Sequence, residues 1–291
     1  MRRLAAAFFA LSLVATACGG GADDASAGTA SPTTAAVTSS TFASEVSTTT
    51  TTIPELRIVD IAAEPPPWED IELTTSDEVT LEARLWSGDA RGVIVGHFAN
   101  RTADAGTSLE CPEGAFCNDI DNWMEVSGAF ANEGYTVLAI SFRNHGRSGG
   151  DYDLKAAPTD LEAAYLRLVE DGVSEVYLIG IGFTGTAGII AEASGLADFD
   201  AMVMAWTPAQ FRGLDSLAVV AEVDTPMYFI AIEAGTSQRN AKLIADRAQD
   251  SRGLYVFPSV PAGQTFGETF LGEMVGYMFT FLEGIQSENT G

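Results

Sequence analysis

Tyr177-Leu178-Ile179-Gly180-Ile181-Gly182-Phe183-Thr184-Gly185 is an apolar run that breaks into closely spaced glycines and leads into a helical pattern from Thr184 to Ala193. A short continuous apolar run suits a strand buried on both faces, and the glycines mark a sharp strand-to-helix turn. Working outward, the same kind of run recurs at Gly92 to Gly96, Tyr135 to Ser141, Ala201 to Ala205, Met227 to Ile232 and Leu254 to Phe257. Helical patterns fall between them, at Asp121 to Asn132, Ala156 to Glu170 and Gln238 to Ala248, with a last one from Phe266 to Leu282. Upstream, after Pro65-Pro66-Pro67, Ile71 to Thr75 and Val79 to Trp86 alternate apolar and polar residues around Ser76-Asp77-Glu78, the pattern of an antiparallel hairpin. The alternation predicts an α/β fold: a doubly wound, mostly parallel eight-stranded sheet with an N-terminal antiparallel hairpin. Between Ala205 and Met227 there is too little chain for a helical lid, so the crevice at the strand ends is expected to be open.

The residues around this frame resemble the α/β-hydrolase family. Gly134 to Ala139 running into Phe142-Arg143-Asn144-His145-Gly146-Arg147-Ser148-Gly149-Gly150 is similar to a strand and turn common in that family. Val93-Ile94-Val95-Gly96-His97 resembles its oxyanion strand, with Phe98 where a glycine is usual. Gly180-Ile181-Gly182-Phe183-Thr184-Gly185 falls where the family has its nucleophile elbow. Phe211-Arg212-Gly213-Leu214-Asp215, the strand after Pro226 and the final helix continue the likeness, which covers about residues 70 to 283.

The resemblance implies a Ser, an Asp and a His at three positions, and this chain has none of them. The nucleophile position is Gly182, which has no side chain to attack anything. The acid position falls on Gly235, with Glu233 the nearest carboxylate, and the histidine position falls on Ala262. The chain's two histidines, His97 and His145, both precede the elbow, so none comes from the usual C-terminal loop. The expectation is a protein without the triad, binding a small molecule or an envelope partner. The main chain at Phe183 and at His97 and Phe98 would form a remnant oxyanion hole, with Phe98 and Trp206 lining the pocket over Gly182. The alternative is an esterase-like hydrolase with a relocated nucleophile, Thr184 paired with His97. A plainer reading has Thr184 capping its helix and His97 holding its loop.

Two other signals lead elsewhere. Gly180, Gly182 and Gly185 match the Gly-x-Gly-x-x-Gly dinucleotide fingerprint, with Asp200 twenty residues on. In such a unit the ribose-binding acid ends the next strand, whereas Asp200 precedes Ala201 to Ala205, so no cofactor is expected. Asp119 and Asp121 invite a calcium reading, but Met124 stands where that loop needs glycine. They read as a helix start, and no metal is expected.

The N-terminus and composition address location. Arg2 and Arg3, the apolar run Leu4 to Val14 and Ala15-Thr16-Ala17-Cys18 have the layout of a secretory signal over residues 1 to 17. Cys18 with Gly19-Gly20-Gly21 resembles a bacterial lipobox, which implies lipidation of Cys18. Ordinary cleavage after Ala17 is the other outcome. From Gly19 to Ile53 the chain holds ten Thr and six Ser, so residues 18 to 55 read as a linker, 56 to 285 as the folded domain and 286 to 291 as a tail. With Cys18 modified, Cys111 and Cys117 remain, and the expectation is that they form a disulfide. Fifteen basic residues against 40 acidic ones give a charge of -25, which repels nucleic acid and anionic lipid alike. Membrane association therefore rests on a lipid anchor, on the outer face of the plasma membrane, or else the protein is secreted.

Overall fold

The computed structural model describes residues 56–99, 119–233 and 235–289. Cys18, Cys111 and Cys117 lie outside the described residues, as do the signal and most of the linker. Ten strands and five α-helices follow one another in this part: β1 (Glu69–Thr74), β2 (Thr80–Trp86), β3 (Arg91–Gly96), α1 (Met124–Asn132), β4 (Thr136–Ile140), α2 (Ala157–Glu170), β5 (Glu175–Ile181), α3 (Phe183–Ala193), β6 (Ala201–Ala205), β7 (Gln210–Phe211), β8 (Leu214–Asp215), β9 (Met227–Ile232), α4 (Ser237–Ala245), β10 (Ser251–Phe257) and α5 (Phe266–Asn289). Eight strands form one sheet in the order β1-β2-β4-β3-β5-β6-β9-β10. β1 pairs antiparallel with β2 and β2 antiparallel with β4, and every later pairing in that sheet is parallel.

Alternation along the central strands separates two cores. On β5, Val176 and Leu178 face α2, α3 and α4, whereas Tyr177, Ile179 and Ile181 face α1 and α5. Both faces are covered, which is why β4, β5 and β6 read as nearly unbroken apolar runs.

Three elements differ from expectation. The helix expected from Asp121 begins as a 3-10 turn at Ile120–Trp123, because the Asp119 carboxylate accepts the Asp121 N–H and the Asn122 amide and caps it. α5 continues past Leu282 into the stretch read as a tail, because Ile285 is buried and Gln286 donates to the Tyr135 hydroxyl. The interval before β9 holds a two-stranded hairpin, β7 and β8, whose turn residues Arg212 and Gly213 both have positive φ, at 45° and 93°. Among the described residues no helix is long and apolar enough to cross a membrane.

Candidate functional site

β5 ends at Ile181, and the chain turns through Gly182 directly into α3. The strand and helix nearly touch at their glycines: a Cβ on Gly180 would lie 2.7 Å from the Gly185 Cα, and one on Gly185 would lie 2.1 Å from the Thr207 hydroxyl. Close packing thus accounts for the glycine spacing that resembles a dinucleotide fingerprint. Asp200 lies at the other end of the sheet, accepting the Val176 N–H at 2.7 Å.

Gly182 has φ 62° and ψ -128°, a region that costs a residue with a side chain about 1–3 kcal/mol. The turn therefore keeps the strained form that a nucleophile elbow has, with glycine at its apex. The space a nucleophile would take is filled by Phe98, since a Cβ on Gly182 would stand 2.2 Å from the Phe98 Cδ1. The crevice expected to be open is closed at this point, and the cause is an aromatic side chain rather than a lid. Phe98 packs against Trp123 at 5.8 Å and Trp206 at 5.7 Å between ring centroids. Trp206 in turn meets Phe266 edge-on at 4.7 Å.

The relocated pair does not assemble. The Thr184 hydroxyl donates to the main-chain carbonyl of His97 at 2.8 Å, so it neither attacks nor caps but ties the β3 loop to α3. His97 Nε2 accepts the Phe142 N–H at 3.1 Å, which places the ring proton on Nδ1, 2.6 Å from the Phe98 carbonyl that accepts it. Both ring nitrogens are thus committed to main chain. Burial, followed by the nearby His145 ring, pushes the His97 pKa well below its ordinary value, so the ring is neutral at pH 7. His145 is buried as well, with Nδ1 2.9 Å from the Arg143 carbonyl, and burial lowers its pKa too.

Gly235 and Ala262, at the expected acid and base positions, are exposed and carry no titratable side chain. Glu233 is exposed as well, and its main-chain N–H donates to the Phe257 carbonyl at 2.9 Å. Of the residues expected to bind, Gly182, Phe98 and Trp206 come together, while His97 and Phe183 are buried beneath them, at 1% and 2% exposure. The Phe183 N–H, first in α3, remains at the positive end of that helix.

Trp123 and Phe266 belong to the same cluster and were missed, because aromatic residues in buried elements read first as core. One signal was legible: Trp206 directly follows a strand, and it adopts φ 53°, an unusual conformation for a bulky residue.

A groove of about 580 Å³ lies instead at the opposite, N-terminal ends of β3, β4 and β5, lined in part by Glu69, Asp89, Arg167 and Asp171. Its charges are already matched, Asp171 by Arg167 at 2.8 Å and Asp89 by Arg91 at 2.5 Å.

No family model matches the chain, and no curated protein matches it in sequence. Solved structures do match. An esterase from Pyrococcus furiosus superposes with a TM-score of 0.58 at 19% identity, covering 75% of this chain and 92% of that one. Proline iminopeptidase from Mycobacterium smegmatis gives 0.58 at 12% identity, covering 76% of this chain and 100% of that one. An α/β serine hydrolase without a lid, from Xanthomonas campestris, gives 0.50 at 17% identity, covering 68% and 86% respectively. With the strand order, the covered parallel sheet and the turn at Gly182, these likenesses show that the chain has the α/β-hydrolase fold.

Proposed function

We propose that this protein is an exported, lipid-anchored member of the α/β-hydrolase fold that binds rather than hydrolyses, its partner a small molecule or a component of the cell envelope. The observation that carries the reading is the apex of the β5–α3 turn, where a glycine in strained conformation lies directly under the Phe98 ring. A site that kept the geometry of attack but filled the attacking position with carbon has no group to form a covalent intermediate. The engagement of both His97 nitrogens with main chain supports the same reading, because it removes the one imidazole near the turn from proton transfer. Export and acylation rest on Arg2, Arg3, the apolar run to Val14 and Cys18, with the Thr/Ser-rich linker as a tether.

The test is hydrolysis of a short-chain ester panel by the full chain, alongside Thr184→Ala and His97→Gln. The expected result is no turnover above buffer. Turnover lost in either variant overturns the reading in favour of a relocated nucleophile. Fatty-acid labelling in a bacterial host tests the anchor: label should be incorporated by the wild type and lost in Cys18→Ala.

A further inference from the structure

Phe98, Trp123 and Trp206 form a triangle with centroid separations of 5.8, 5.7 and 6.2 Å. Phe98 is the one whose ring rests on the bare main chain of Gly182. Trp123 is almost wholly buried, whereas Phe98 and Trp206 are only partly so, which places this ring and one of its walls at the surface end of the crevice. Trp206 holds its wall in place from a positive-φ conformation that costs about 1–3 kcal/mol, and strain of that kind persists where neighbouring structure enforces it. The niche so formed has a glycine floor and two indole walls, and a phenyl ring of the protein's own fills it.

We propose that this niche is a binding site for a ligand bearing an uncharged ring of phenyl size, and that Phe98 is a built-in occupant which such a ligand displaces. The proposal rests on the non-hydrolytic reading above and names the ligand class of that site. The uncharged class follows from two features. The rings are in mutual contact, so removing Phe98 leaves a slot about one ring thick rather than an open aromatic cage. The α3 N-terminus at Phe183 also opens beside it and disfavours a cation. Self-occupancy lowers apparent affinity by the fraction of molecules with Phe98 swung out, so deleting the ring should recover that factor. An apolar void of this kind binds small aromatic molecules when no side chain fills it.

The experiment is calorimetric titration of the full-length protein with benzyl alcohol, comparing wild type, Phe98→Ala and Phe98→Leu, each checked for a cooperative melting transition. Phe98→Ala should bind about tenfold more tightly than wild type, and Phe98→Leu should shift in the same direction by less. Adding Gly182→Ala to Phe98→Ala, which puts a methyl group where the Phe98 ring lay, should abolish the gain. Equal affinity in wild type and both Phe98 variants overturns the proposal, as does a gain that survives the added methyl group. Preferential binding of tetramethylammonium to Phe98→Ala overturns the uncharged class. Ester turnover by the same samples strikes the non-hydrolytic reading instead, so the two failures are separable.

Discussion

At the scale of single residues, Gly182 joins backbone strain and packing in one atom count. Gly182→Ser would put a Cβ into the Phe98 ring and a side chain into a positive-φ region, so it should destabilise the domain by about 1–3 kcal/mol, read as a lower urea midpoint. It should restore no ester turnover. His97 and His145 act at the same scale through protons. Burial lowers both pKa values in the folded protein, so over the window below the unfolded value near 6.5 the unfolded chain binds more protons than the folded one. Their contribution is fully present above about pH 6.5 and is lost as pH falls through that value toward the folded pKa, with a slope of up to about 1.4 kcal/mol per pH unit for each proton. Carboxylates titrate in the same range, so the measurement is a difference. Urea unfolding at pH 7.5 and 5.5 should show a smaller loss in His97→Gln than in wild type, since glutamine keeps an acceptor for the Phe142 N–H without charging. An unchanged loss would show that His97 does not titrate in this window.

At the scale of elements, the turn after β4 is held to α2 and to the β1–β2 hairpin by one guanidinium. Arg143 donates to Asp160 at 2.7 Å and to Asp77 at 2.8 Å, and its main-chain N–H also reaches Asp160. Burial works against the Arg143 charge, but the two carboxylates outweigh it and raise its pKa. The hydrogen bonds from Arg143, aided by the Thr75 hydroxyl, bring Asp77 down to about 2. Asp160 is fully buried, so Arg143→Ala leaves a carboxylate without its partner in the core and should cost about 3–5 kcal/mol in chemical unfolding. Asp77 is half exposed, and Asp77→Ala should cost no more than about 1 kcal/mol. A similar loss in both variants would mean that the ion pair to Asp160 is not what secures the turn. The elements themselves were largely legible. Every apolar run became a strand, since sheet burial on both faces leaves an uninterrupted pattern. The β7–β8 hairpin was not legible, because two-residue strands have no periodicity to read. The end of α5 was misplaced because its last anchor is the bond from Gln286 to the Tyr135 hydroxyl, 151 residues away.

At the scale of the whole molecule, 40 acidic residues against 15 basic ones make the folded state repel itself, and salt screens that repulsion over about 10 Å at 0.1 M. Raising sodium chloride from 10 to 200 mM should therefore raise the melting temperature, and a flat or falling response would show that local ion pairs such as Arg147 with Glu82 dominate. The same charge distribution leaves the aromatic niche at Phe98 as a site without charged walls among the described side chains.

The alternation of apolar runs, the sharp turn at Gly182 and the absence of a histidine after it are properties of residue order and type, so the sequence by itself determined the α/β architecture and the missing triad members. Side-chain occupancy is a property of space. That Phe98 fills the position above Gly182, that the Thr184 hydroxyl serves a carbonyl, and that both His97 nitrogens are bound to main chain were decided only when β3, β5 and β6 lay side by side. Residues 80 or more positions apart, such as Phe98 and Gly182, acquire a shared chemistry only through the register of the strands that carry them.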